Sequence, residues 1–185
     1  MKQLIKFTLI GVLALSSVSC GVSRKLETSP VTTYIMPGHE YLSGDGLIRA
    51  WGVGKSDSES AARKKAKMEA STELASILSR TVNSTVQQYT TALSESISSD
   101  SKSLLIEKSS IVVEQTLVGA TVIYDRWAKD DSTGQYTNYI VMELKGKDFL
   151  NSLYKELGKQ SELDKNLLEK IFMQVIDESG REQQK

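Results

Sequence analysis

Between residues 62 and 82 an apolar or small side chain returns every fourth position: Ala62, Ala66, Ala70, Leu74, Leu78 and Val82. Arg63, Lys64, Lys67 and Glu73 fall elsewhere on the same circle, so the pattern is that of an amphipathic helix, predicted here over residues 57–95. Alanines at the start of the stripe let a neighbouring backbone come close, and the preceding run supplies one. In residues 47–54, read as a strand, the alternate positions Ile48, Ala50, Gly52 and Gly54 become progressively smaller. Between strand and helix, Ser56 and Glu59 have the spacing of a capping box. The chain is thereby constrained to a sheet with one long helix laid tightly across it.

The remaining elements follow from period and punctuation. Serines crowd residues 94–103, which predicts a break. A second helix is predicted over 102–115 with Leu105, Ser109, Val112 and Thr116 facing inward, although Ile111, Val112 and Val113 would also suit a strand. Residues 117–128 and 135–145 alternate in polarity across the polar loop 129–134 and read as an antiparallel hairpin. Val118, Ala120, Val122 and Tyr124 are set on one face of its first strand, and Tyr136, Asn138, Ile140, Met142 and Leu144 on one face of its second. A helix over 147–157 stops at Gly158. Another over 161–177 carries the stripe Leu163, Leu167, Leu168, Ile171, Phe172, Val175 and Ile176, and the polar end 178–185 is expected to fray. The fold class is therefore α+β: strand, long helix, strand, strand, with additional C-terminal helices.

Residues 1–20 resemble the signal peptide of bacterial lipoproteins. Lys2 and Lys6 precede an apolar run over residues 7–15, and small residues 16–19 lead into Cys20, the only cysteine. The apolar run is shorter than the roughly 20 residues that span a bilayer. The resemblance implies cleavage before Cys20 and acylation of its thiol, so that lipid rather than polypeptide holds the protein at the membrane. The expected organisation is a signal peptide over 1–19, a lipidated Cys20 with a tether over 20–45, an α+β domain over 46–158, and an amphipathic helix and tail over 159–185. Within the tether, the apolar residues Tyr34, Ile35, Met36 and Tyr41 are expected to pack in part. Gly21 after the cysteine, in place of an aspartate, resembles lipoproteins released to the outer membrane, and the periplasmic face is the expected location.

Residues 50–75, with Gly52 and Gly54, Ala62 and Arg63, Ala66, Ala70, Leu74 and Ala75, together with Trp127 in a later strand, also carry a resemblance. They resemble the LPP-twenty type family, typified by a twenty-kilodalton membrane-associated bacterial lipoprotein, over residues 46–145. The resemblance implies a dodecin-like antiparallel sheet wrapped on a helix, no established enzymatic activity, and an interaction role in the envelope.

The chemistry the chain lacks points the same way. Lys and Arg total 23 against 23 Asp and Glu, and removal of Lys2 and Lys6 with the leader tips the balance acidic, so no nucleic-acid partner is expected. His39 is the only histidine, and its neighbour Glu40 has no partners at a ligand spacing, so no metal is expected. Gly54, Lys55 and Ser56 imitate the end of a phosphate-binding loop, but Arg49 stands where that loop requires its first glycine, so no nucleotide is expected. No Gly-x-Ser-x-Gly elbow accompanies the many serines. Asp130 and Asp131 read as a hairpin tip, and residues 63–67 as the wet side of the long helix. Trp51, Tyr124 and Trp127 are the candidate groove or interaction residues.

The functional expectation is a non-enzymatic envelope lipoprotein without cofactors. It is held to the membrane through Cys20 and works through contacts with other envelope proteins or with itself. The alternatives are a periplasmic ligand- or peptidoglycan-binding module, and an accessory activator of a cell-wall enzyme.

Overall fold

The computed structural model describes residues 36–93, 97–158 and 163–184, all within one compact unit, Thr32–Lys185. The leader, Cys20, and the tether before residue 36 lie outside the described residues. A 3-10 turn, His39–Tyr41, leads into strand β1, Leu47–Ser56. The long helix α1, Glu59–Ala92, is followed by α2, Ser99–Leu117, then by strands β2, Thr121–Lys129, and β3, Tyr136–Lys145. Helices α3, Gly146–Leu157, and α4, Lys165–Glu182, complete the order. The fold is α+β, with four helices among the described residues and a three-stranded antiparallel sheet ordered β1-β3-β2.

The stripe of α1 lies where its period places it. Ala62, Ala66, Ala70 and Leu74 are wholly buried, and they face Ile48, Ala50, Gly52 and Gly54 of β1. A Cβ on Gly54 would stand 2.5 Å from the amide nitrogen of Ala66 and 2.9 Å from the carbonyl carbon of Ala62. Only glycine permits that approach. On the helix-facing side of β3, Asn138, Ile140, Met142 and Leu144 are buried, and the core continues through Phe149, Leu150 and Leu153 of α3 to Leu168, Phe172, Val175 and Ile176 of α4. The rings of Phe149 and Phe172 stack with centroids 5.1 Å apart. Helix α4 is thus part of the same core as residues 46–158. Among the described residues no helix is long and apolar enough to cross a membrane.

Several boundaries depart from the sequence reading. Ser56 ends β1 instead of capping α1. Ser58 takes the cap position in extended geometry without a side-chain cap bond, because the strand continues two residues past Gly54. Helix α2 begins at Ser99, since the Ser98 hydroxyl accepts the Ser101 amide, and Ile111, Val112 and Val113 are helical. Residues 118–120 close that helix with consecutive turn bonds, so the hairpin starts at Thr121. A bulge at Ile123 interrupts β2: Val122 pairs with Met142 on the helix side, whereas Tyr124 pairs with Val141 on the other, so the two do not share a face.

The two ends of the unit are tied together. Helix α4 runs to Glu182 in place of a fray from 178, because the side chain of Gln183 accepts the Ser43 amide at 2.9 Å and donates to the Arg49 carbonyl at 3.0 Å. Ser43 is buried, and its carbonyl lies so close over Gly180 that a Cβ there would clash. The chain is therefore fixed by residue 43, inside the stretch expected to be tether.

Candidate functional site

In a β1-β3-β2 sheet both outer strands carry backbone groups that no strand pairs, and an open row of such groups is a template for another chain. Backbone direction alternates along an antiparallel ladder. The Leu47, Arg49 and Val53 amides bond away from β3, so odd positions of β1 point outward, and even positions bond to the even positions of β3. The odd positions of β3 then serve β2, which leaves Asp125, Trp127 and Lys129 as the outward positions of β2 after the bulge.

Most of the β1 edge is closed by its own chain. Leu47 and Gly44 exchange backbone bonds at 2.9 and 3.0 Å. The Arg49 amide donates to Ser43 Oγ at 3.0 Å, and its carbonyl accepts Gln183 Nε2. Val53 N–H donates to the Glu69 carboxylate at 2.9 Å, and Lys55 O accepts Lys65 Nζ at 3.0 Å. Glu69 and Lys65 project from α1, the strap 43–44 comes from the N-terminal side and Gln183 from the C-terminal end, so three separate segments cap the strand, and among its outward positions only Trp51 has no backbone partner among the described residues.

The β2 edge is open. Among the described residues no backbone group of Trp127 or Lys129 on that side has a partner, and the Asp125 carbonyl is met only by the neighbouring Arg126 side chain. Three large apolar side chains of the strand are exposed there: Val122 at 41%, Ile123 at 37% and Trp127 at 48%. On the helix side Asp125 pairs with the Arg63 guanidinium and accepts Asn138 Nδ2 at 3.0 Å. Asn138 also donates to Arg126 O at 3.2 Å, which holds β2 to β3 at this point. Trp127 packs against Tyr136 with centroids 5.7 Å apart, and Lys129 Nζ sits 5.3 Å over the same ring.

The three aromatic residues singled out in the sequence do not form one groove. Trp51, Val141 and Tyr124 make one row across the sheet face turned away from α1, with the buried Val141 between the two rings. Tyr41 meets Tyr124 edge-on at 4.9 Å, and Arg49 fixes the turn above by donating to Glu143, to Glu40 O and to Leu42 O at 2.8, 3.0 and 3.1 Å. Desolvation raises the Tyr124 hydroxyl pKa. Trp127 faces the other way, toward α1. A broad cleft of about 780 Å³ on that side is lined by Arg63, Lys64, Lys67, Val122 and Asp125. Beside Trp51, a second of about 630 Å³ is lined by Met68, Glu69 and Thr72.

Other candidates resolve into structural roles. The Asp130 carboxylate accepts Ser132 Oγ at 2.6 Å, Ser132 N at 2.9 Å and Thr133 N at 3.3 Å, and these bonds lower its pKa to about 2 while closing the hairpin turn. Lys55 and Ser56 belong to β1, and Gly54 is pressed on the α1 backbone, so no phosphate cradle forms there. His39 lies in the 3-10 turn, and among the described residues no three His, Cys, Asp or Glu side chains gather as a metal site. Sequence reading did not single out which sheet edge is open. The signal was present in the run Val122, Ile123, Tyr124 and Trp127, apolar on both faces of a strand that has only one core to bury them in. Comparison with models of known families, with curated proteins and with solved structures finds no match.

Proposed function

We propose that this chain is a non-enzymatic envelope lipoprotein of the LPP-twenty type, anchored through acylated Cys20, that acts by docking protein partners on β2. The periplasmic face of the outer membrane is the location that Gly21 favours. One observation carries the docking reading: three segments of the chain cap most of the outward backbone of β1, while β2, in the same sheet, is left with unpaired backbone and exposed Val122, Ile123 and Trp127. Proteins blunt edges that must not be paired, so an edge left open opposite one largely capped is suited to pairing.

The anchor is tested by Cys20→Ser in cells fed labelled palmitate. Loss of label and release from the membrane fraction are expected, and unchanged labelling would refute it. A second reading, a module that binds acidic wall fragments, is favoured by Lys64 and Lys67 in the cleft beside β2, where Arg63 is already paired with Asp125. Replacing Lys64 and Lys67 with glutamate separates the two: retention of soluble wall fragments falls if the cleft binds them, and protein partners at β2 are kept.

A further inference from the structure

We infer that the occupant of β2 is the β2 strand of a second copy of this chain, paired antiparallel about a two-fold axis at Trp127. The inference rests on the reading of β2 as a docking edge and names what fills it. Pairing of two edges brings outward positions opposite outward positions, which for two identical strands confines the axis to a residue and excludes any axis between residues. After the bulge the strand offers axes at residues 124 to 129, and only an axis at 127 pairs all three outward positions, Asp125, Trp127 and Lys129, with one another. An axis at 125 sets Asp125 against the Asp125 of the second copy, and one at 126 sets Arg126 against Arg126. Like charges directly opposite on a sheet oppose pairing.

An axis at 127 sets Asp125 opposite Lys129 twice, Arg126 opposite Ala128 twice, and Trp127 against Trp127. This register uses every outward position of the strand after the bulge, with complementary charge and no repulsion. Asp125 has a side chain 24% exposed and already accepts Arg63 and Asn138, while Lys129 lies over Tyr136, so both reach the helix side of the sheet where this register joins them. Trp127, half-exposed in the monomer, would be covered by its own symmetry mate. The ladder supplies three hydrogen-bonded pairs, about six backbone bonds. So short a ladder suits partners confined to one membrane surface, where anchoring raises their effective concentration. The resulting six-stranded sheet has β1 at both ends, where the Leu47 and Arg49 backbone, the Val53 amide and the Lys55 carbonyl are already taken within the chain.

The test uses the full chain in bacterial cells, with Trp127→Cys oxidised by copper phenanthroline and resolved on non-reducing gels. Cysteines at a hydrogen-bonded antiparallel pair sit about 5.5 Å apart between Cα atoms, within disulfide range. Trp127→Cys should give a band of twice the monomer mass that is lost on reduction, at least about tenfold above Asp125→Cys, Arg126→Cys and the Trp51→Cys control on the β1 edge. Adding Lys129→Asp, which sets like charges opposite Asp125, should lower that band about tenfold. A Trp127→Cys band no stronger than the controls, or one indifferent to Lys129→Asp, would overturn the register. A photoreactive residue at 127 separates the two levels of the claim. Crosslinks to a different protein alone overturn self-pairing and keep β2 as a docking edge, and no crosslink at all overturns both.

Discussion

Gly54→Ala is the sharpest perturbation of the fold that presents β2. The new methyl would stand 2.5 Å from the Ala66 nitrogen and 2.9 Å from the Ala62 carbonyl carbon, against an ordinary separation of about 3.5 Å. Both neighbours are helix backbone, which cannot swing aside as a side chain would, so α1 must withdraw from β1 by about 1 Å along the stripe of Ala62, Ala66 and Ala70. Overpacking of this kind costs about 1–3 kcal/mol, and a backbone obstacle puts Gly54→Ala at about 3 kcal/mol. For a domain of this size that is a fall of roughly 6–12 °C in Tm. Urea and thermal unfolding followed by circular dichroism would measure it. Gly119→Ala is the control: its Cβ would meet only Thr116 O at 3.4 Å, and a change within about 0.5 kcal/mol is expected. A loss below about 1 kcal/mol for Gly54→Ala would refute the close-approach argument.

Two further outcomes follow from the core around α3 and α4. Phe172, 1% exposed and stacked on Phe149, should cost about 3–5 kcal/mol when replaced by alanine, read as a shifted urea midpoint, because the residual cavity lies among Leu168, Leu150 and Leu153. The Tyr154 hydroxyl donates to Lys165 O at 3.0 Å, and desolvation, with a smaller contribution from Glu169, pushes its pKa up to about 12. An acid raised above its ordinary value of about 10 keeps its proton in the folded chain after the unfolded chain has lost it. Its contribution is therefore complete below pH 10 and lost between pH 10 and 12. Urea titrations at pH 9, 10.5 and 12 should show stability falling in that window, and Tyr154→Phe should flatten the fall; an unchanged slope would contradict the assignment.

Much of the architecture was legible because burial imposes period. The stripe from Ala62 to Val82, the shrinking alternation from Ile48 to Gly54, and the inward set Leu105, Ser109, Val112 and Thr116 are each forced by one face meeting a core, and each is buried as expected. The capping box failed because Ser56 and Glu59 carry a local pattern that the longer β1 ladder overrides: Ser56 pairs with Tyr136. The bulge at Ile123 has no signature in the run Thr121 to Tyr124, where every residue favours strand, and it alone sends Val122 and Tyr124 to opposite faces. The bonds that close the β1 edge, Val53 to Glu69 and Arg49 to Gln183, join positions 16 and 134 residues apart and leave no periodic trace. Which edge is open depends on such bonds, so Trp51, Tyr124 and Trp127 could be named as aromatic strand residues but not sorted between the faces.

Amide hydrogen exchange along β2, in membranes containing the anchored full chain and again after dilution into detergent, tests the docking edge most directly. The account predicts that Asp125, Trp127 and Lys129 exchange slowly in the membrane and rapidly once diluted, while Val53, held by Glu69, is protected in both. Equal and rapid exchange of the three β2 amides in both states would contradict it.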